Sequence, residues 1–539
     1  MRATERGIEA DLAIVNANIV TMDAARPRVE ACAVKHAKFA LVGTTDEVNA
    51  AIGPQTKVLD ARGRTVVPGF IDAHLHPAPV YPLDHPLGVV DLRPPDPPTI
   101  EGLIDALREK AALTAKGQWV RGSRYMDTQF GRHPTREDLD RVSTEHPVLI
   151  RHGSGHACVV NSLALATTGI TRNTPDPPGG AFERDAAGEP TGVCWETAAG
   201  PVSKDGGPPL PRPTREAKFA GMRLCLEQFA QKGLTSVGHA GAGPDMIRLY
   251  TELFAAGPAV RVNLMMSGGH LDKLKALGLR TGFGNEWLKI GPIKVFHGQS
   301  VSAGTCWLFE PYANRSDYYG IPPARSQEDL DELIWDIHEA GFQAAVHSNA
   351  DREIVMVLDA FEKALKKLPR PDHRHRIEHC SVVTQEILER IKALGVVAVL
   401  HSYLDEYGAT VELYDKKRWG LIHPNRTALE MGIAVAAHSD YSVSRAEPLR
   451  RIQSLVTRKS MAGKVYAPEQ CLSVEQALRV FTLGSAYAAF EEGLKGSIER
   501  GKLADCVVLS ADPAAVDPDT IRDIAVEQTI IGGVVVHRA

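Results

Sequence analysis

The stretch Val66-Val67-Pro68-Gly69-Phe70-Ile71-Asp72-Ala73-His74-Leu75-His76-Pro77 decides how the rest of the chain is read. An apolar run with β-branched residues leads into two histidines two apart. Side chains alternate along a strand with period two, so His74 and His76 point to one face. In a parallel α/β barrel one face of each strand lines the barrel, and active sites sit at the carboxyl ends of the strands. Two imidazoles at such an end can grip one divalent cation side by side. A strand that merely ends in two solvated histidines fits the same residues. The remaining sequence weighs between the two.

Downstream, strands and helices alternate, which implies parallel β/α units. Strands are expected within 287–296, over 342–346, 376–379, 396–400 and 433–437. Helices are expected over 330–340, 352–367, 385–394, 426–431 and 473–482. Ser326 with Asp329, and Ser473 with Gln476, are capping pairs, and Gly395 is a helix stop. The first half is less regular, with a helix in 99–116 and strands near 147–150 and 234–237. Residues 171–213 are rich in Pro and Gly. So long an irregular segment reads as disordered chain or a lid, and a lid over the barrel mouth is the expectation.

Both chain ends have a β texture. Short strands are expected over 12–15, 19–22, 31–34, 39–42, 58–59 and 65–67. At the far end they fall at 505–509 and in a hairpin turning at Gly532-Gly533. The fold class is therefore α/β: a (β/α)8 TIM-like barrel with a small β-sandwich assembled from both chain ends. The sandwich takes residues 1–67 and 484–539. The barrel takes 68–483, with the lid-like insertion at about 171–213.

At 539 residues the chain exceeds one simple barrel. A net charge of -5 argues neither for nucleic acid nor for a membrane surface. The N-terminus has no apolar secretion core, and no apolar run could span a bilayer. The eight cysteines form no Cys-x-x-Cys and read as reduced, in a cytoplasmic protein.

The informative pattern is where polar residues fall. His74, His76, His347, His379 and Asp440 each end an expected strand. Lys294 lies inside the apolar run Ile290-Gly291-Pro292-Ile293-Lys294-Val295-Phe296, where a free ammonium would be costly to bury. Snorkelling, a carboxylate partner and chemical change are all open readings.

In these motifs the chain resembles the amidohydrolase superfamily, in its branch of large YtcJ-like and N-substituted-formamide-deformylase-like metal-dependent hydrolases. Residues 68–76 resemble the strand 1 signature and 291–296 strand 4. Residues 345–352 resemble strand 5, Arg376-Ile377-Glu378-His379-Cys380 strand 6, and His438-Ser439-Asp440 strand 8. His156 with Asn161-Ser162 resembles a segment following strand 2. Pro177-Pro178-Gly179-Gly180 and Gly501-Lys502-Leu503-Ala504-Asp505 are further matches. Three positions depart from the branch: His297 precedes Gly298 where Asp is common, Ala37 stands in a turn that often holds glycine, and His401-Ser402-Tyr403 follows strand 7.

The resemblance implies one or two divalent metal ions, with zinc expected, and an N-carboxylated Lys294 bridging them. His74, His76 and Asp440 would hold one ion; His347 and His379 would hold the other. Asp440 would act as general base and then acid toward a metal-activated hydroxide. His156 is the leading further catalytic or substrate-contacting candidate, followed by His239, His297 and His401. Tyr125, Trp195 and Tyr403 are read as core packing before pocket walls. The implied reaction is hydrolysis of an amide, formamide or carbamate C–N bond, other than a peptide bond, in a small molecule. Partners are the substrate and, by resemblance, a second copy in a homodimer. A deaminase of the same superfamily and a non-catalytic fold relative are the alternatives. Related deaminases place a glutamate three residues after the strand 5 histidine, where this chain has Ala350.

Overall fold

The computed structural model describes residues 9–539 except 94–95, 154, 156, 178–179, 197, 203–211, 258, 303 and 314. It divides into two compact units, Met1–Pro77 with Cys225–Ala539, and Ala78–Leu224.

The larger unit holds eight parallel strands in sequential order: β1 (Phe70–Leu75), β2 (Leu234–Ala242), β3 (Arg261–Ser267), β4 (Leu288–Phe296), β5 (Ala344–Ser348), β6 (Arg376–His379), β7 (Val397–His401) and β8 (Val435–His438). The two end strands meet just past their carboxyl ends. Asp440 N–H donates to the His74 carbonyl at 3.1 Å, and Ser439 N–H donates to the Asp72 carboxylate at 3.1 Å. β3 had no counterpart in the sequence reading, although Arg261–Met266 is buried throughout and holds the apolar residues Val262, Leu264, Met265 and Met266.

The helices between the strands begin and end on local chemistry. Ser326 and Asp329 cap Gln327–Glu339 reciprocally. Thr384 caps Gln385–Leu394, and Gly395 closes it in the left-handed region. Along β4 to β8, register and the period of two put Lys294, Ala345, His347, Glu378, Val399, His401, Ala436 and His438 on one face. Ala345 packs there with Ala240 and Met265, and Val399 with Ala436. That face is the barrel interior.

Two further sheets come from both chain ends. One orders Lys38–Gly43, Ala31–Lys35, Leu12–Val15 and Lys57–Asp60; the other contains Thr65–Pro68, Asn18–Val20, Cys506–Leu509, Val526–Ile531 and Val534–Arg538 among its strands. Leu12 and Ile14 face a core shared with Val66, Cys506, Val508 and Ile530 of the other sheet. Ala13 and Val15 face the opposite way, onto Val48 of the short helix Thr45–Asn49. This alternation makes the pair a β-sandwich. Its second hairpin turns on His36 (φ 49°) and Ala37 (φ 63°), a left-handed pair that usually selects glycine.

Arg261 at the start of β3 reaches Asp505 beside Cys506. The bonds are 2.8 Å and 3.0 Å, and both side chains are almost fully buried. Asp505 also accepts from Gly532 N–H at 2.8 Å. Asp505→Ala leaves the guanidinium buried and uncompensated. It is expected to lower unfolding stability by about 3–5 kcal/mol, read as a fall in the urea midpoint. A change below about 1 kcal/mol would show that the pair contributes little.

The unit Ala78–Leu224 is built on a separate six-stranded sheet. Its order is Gly180–Arg184, Pro190–Glu196, Ala157–Val160, Val148–His152, Val120–Tyr125 and Val90–Asp91. Val148–His152 is therefore not a barrel strand. Only four residues separate it from Ala157–Val160, enough for an antiparallel return and far too few for a parallel crossover. The Pro/Gly-rich stretch also departs from expectation. Residues 180–196 form an antiparallel hairpin that turns at Gly188, with Phe182, Val193 and Cys194 buried. The Pro178-Gly179 motif and residues 203–211 lie outside the described residues.

Candidate metal centre

Six side chains singled out from the sequence lie in the larger unit, at or just beyond the carboxyl ends of β1, β4, β5, β6 and β8. His74, His76 and Asp440 each offer a ligand atom within 4.8 Å of the others. His74 is fully buried. Its Nδ1 donates to Glu378 Oε2 at 2.5 Å, which leaves the Nε2 lone pair aimed toward Asp440, 3.9 Å away. Glu378 is itself held by Arg376. His76 Nδ1 lies 3.0 Å from the Ala240 carbonyl, and its Nε2 is 3.4 Å from Asp440 Oδ1.

Asp440 sits in the left-handed region at φ 54°. Burial alone would raise its carboxyl. The neighbouring imidazoles of His76, His74 and His438 more than offset this and hold it below the usual carboxylate range. Asp72, buried behind it, is pushed up to about 7 by burial despite its bonds from Ser439 and His74.

Lys294 is buried, and its Nζ has no hydrogen-bond partner among the described residues. Burial drives it down to about 8, against the opposing pull of Glu378 and Asp440. Its charge in turn acts on His74 and His347. His347 and His379 bring their ring centres within 4.5 Å. His347 Nε2 lies 3.2 Å from both the Gln299 carbonyl and Asn349 Nδ2. Burial pushes His347 down to about 3, so the ring is neutral at working pH.

The other candidates separate. His401 is drawn into the cluster, with its ring 4.8 Å from that of His379. His239 pairs with Tyr250 OH on the helix Pro244–Ala255 at 2.9 Å. Buried His297 has neither ring nitrogen hydrogen-bonded among the described residues. His156 lies outside the described residues. Tyr125 is buried in the core of the smaller unit, and Trp195 packs against that core. His438 and Glu378 were passed over in the sequence, though both stand inside quoted motifs. The available signal was the period of two that links His438 to Asp440 and Glu378 to Arg376.

A metal ion fits these residues. His74 Nε2, Lys294 Nζ and His379 Nδ1 are buried with no hydrogen-bond partner among the described residues. Each such group costs about 1–3 kcal/mol unless something else satisfies it. Imidazole and carboxylate donors suit zinc and its neighbours.

The amidohydrolase family profile matches residues 57–537. The chain belongs to the amidohydrolase family. It is 30% identical to YtcJ of Bacillus subtilis (strain 168), over 96% of this chain and 98% of that one. It is 29% identical to the N-substituted formamide deformylase of Arthrobacter pascens, over 97% and 98%. Among solved structures, an uncharacterized metal-dependent hydrolase from Pyrococcus horikoshii OT3 superposes with a TM-score of 0.73 at 25% identity. That match covers 94% of this chain and 99% of the other. Among the described residues no helix of this amidohydrolase is long and apolar enough to cross a membrane.

Glu378 orients the candidate ligand His74. Glu378→Gln keeps an acceptor for His74 but removes the negative charge and weakens the hold of Arg376. Metal affinity, measured by chelator competition, is expected to fall about 10–100-fold. An unchanged affinity would remove Glu378 from the metal centre.

Proposed function

We propose that this amidohydrolase hydrolyses a C–N bond of a small molecule, in an amide, formamide or carbamate rather than a peptide, with Asp440 as general base and then general acid. The observation that carries the reading is the grouping of His74, His76 and Asp440, whose ligand atoms lie within 4.8 Å of one another. These three would hold one divalent ion, zinc by preference. His347 and His379, with an N-carboxylated Lys294 between the two positions, are the partners that the resemblance implies for another. A bound divalent ion supplies Lewis acidity, bringing the pKa of water to ~7 and polarising a carbonyl.

The protein's own part is proton handling and orientation. The Asp440 carboxylate, ionised at neutral pH, takes a proton from the attacking water and returns it to the leaving nitrogen. His74 is kept in one tautomer by Glu378. His297 and His401 are proposed to face the substrate. His156 and His239 keep that role on the resemblance alone. Cytoplasmic residence and a homodimer belong to the same proposal.

Deamination is disfavoured by Ala350, which stands at the helix N-cap where related deaminases have glutamate. Glu353 does not substitute for it, because its carboxylate accepts from the backbone N–H groups of Gln299, Trp307 and Asn349.

The test combines metal analysis with N-acyl, N-formyl and carbamate substrate panels, zinc or manganese added. At least about one equivalent of metal per chain and turnover on one panel are expected. Metal below about half an equivalent, or no hydrolysis on any panel, overturns the reading in favour of a non-catalytic relative or another reaction.

A further inference from the structure

β7 and β8 carry chemistry that the ligand set implied by resemblance leaves unused. His401 and His438 are register partners on adjacent strands, so their side chains leave on the same inner face. His379 follows the inward Glu378, and strict alternation would send it outward. The left-handed backbone at His379 (φ 76°) and Cys380 (φ 44°) ends that alternation, and the ring lies among the other two. The three ring centres are 4.8 Å to 4.9 Å apart, and one ligand atom from each lies within 4.8 Å of the others.

All three residues are at most 4% exposed. His438 Nδ1 and Nε2, His401 Nδ1 and His379 Nδ1 lack hydrogen-bond partners among the described residues. His401 Nε2 lies 3.2 Å from Tyr403 OH, which orients the ring and leaves Nδ1 for another partner. Buried imidazoles with open lone pairs are the neutral, metal-binding form of histidine. Burial keeps His438 neutral, and the negative charges of Asp440 and Glu378 face it against the positive charges of Arg376 and Lys294. His347, by contrast, has Nε2 occupied by Gln299 and Asn349.

We propose that His379, His401 and His438 form a cation site for a late first-row divalent ion, distinct from the position of His74, His76 and Asp440. Three imidazoles and no oxygen ligand select zinc, cobalt or nickel over magnesium and calcium. The site would take the place of the His347–His379 pairing. It stands on metal binding alone: its success would reassign His379 and His401 to this second position, and its failure leaves the hydrolytic reading as stated.

The probe is Co²⁺, titrated into metal-free full-length protein and followed by calorimetry and visible absorption. His76→Asn with Asp440→Asn disables the first position. This background is expected to bind one Co²⁺ still, with X-ray absorption counting three imidazoles. Adding His438→Asn or His401→Asn should weaken that binding at least about 100-fold, while His347→Asn should change it less than about threefold. Magnesium should not compete. No binding in the double variant overturns the proposal. So does loss of binding on His347→Asn with His438→Asn neutral. Should a histidine variant fail to fold, the imidazole count in the double variant decides, and a count of two rejects the site.

Discussion

Asp440→Asn is expected to lower turnover at least ~10³-fold while the protein still folds. The amide has nearly the same shape as the carboxylate and still presents an oxygen toward His76 Nε2, 3.4 Å away in the parent. The backbone N–H of residue 440 would still donate to the His74 carbonyl, so the junction between β8 and β1 survives. What the amide lacks is a basic oxygen that can take a proton. On the proposed reading the variant combines two losses, the proton carrier and an anionic donor to the cation. Running the assay at saturating zinc, with metal counted on the same sample, separates them. Full metal with no turnover assigns the loss to proton transfer. Retention of more than about a tenth of the activity would remove Asp440 from the chemistry.

How much of this was legible in the residues follows from what each signal depends on. His74 and His76 could be read because a period of two is local: it needs only the strand. Lys294 could be read because an ammonium in an apolar run is anomalous wherever it lies. The sandwich could be read from its turn chemistry, and Gly532-Gly533 is the left-handed pair that such a hairpin requires. Pairing is not local. Nothing inside Val148–His152 distinguishes a strand of the barrel from one of another sheet; the short link to Ala157–Val160 did, and it went unread. Proline and glycine in 171–213 suggested irregular chain, yet burial of Phe182, Val193 and Cys194 stabilises a hairpin there. His438 and Glu378 were hidden for a third reason. Their importance comes from what stands opposite them across the barrel, and three dimensions are needed to see that.

Lys294→Ala should reduce metal-dependent turnover at least ~100-fold, and millimolar propionate should restore part of it. Carboxylation takes two steps: the ammonium loses a proton, then the neutral amine adds CO₂, the Nζ–C bond forms and a second proton leaves, so a cation becomes an anion. Only the unprotonated amine can do this. An ordinary lysine, near 10.4, is roughly 0.4% unprotonated at pH 8. Burial brings Lys294 down to about 8, which makes about half of it reactive at that pH. The sign follows once dissolved CO₂, in equilibrium with bicarbonate, is held at one concentration: recovery of metal-free protein given zinc should quicken as pH rises from about 6 to about 8.5. The same step removes a second difficulty, because an ammonium beside cations would repel them and a carboxylated lysine attracts them. Propionate can stand in because it brings a carboxylate into the space that alanine leaves. Recovery that ignores both pH and bicarbonate would sink carboxylation. A Lys294→Ala enzyme as active as the parent would remove the residue from the metal centre altogether.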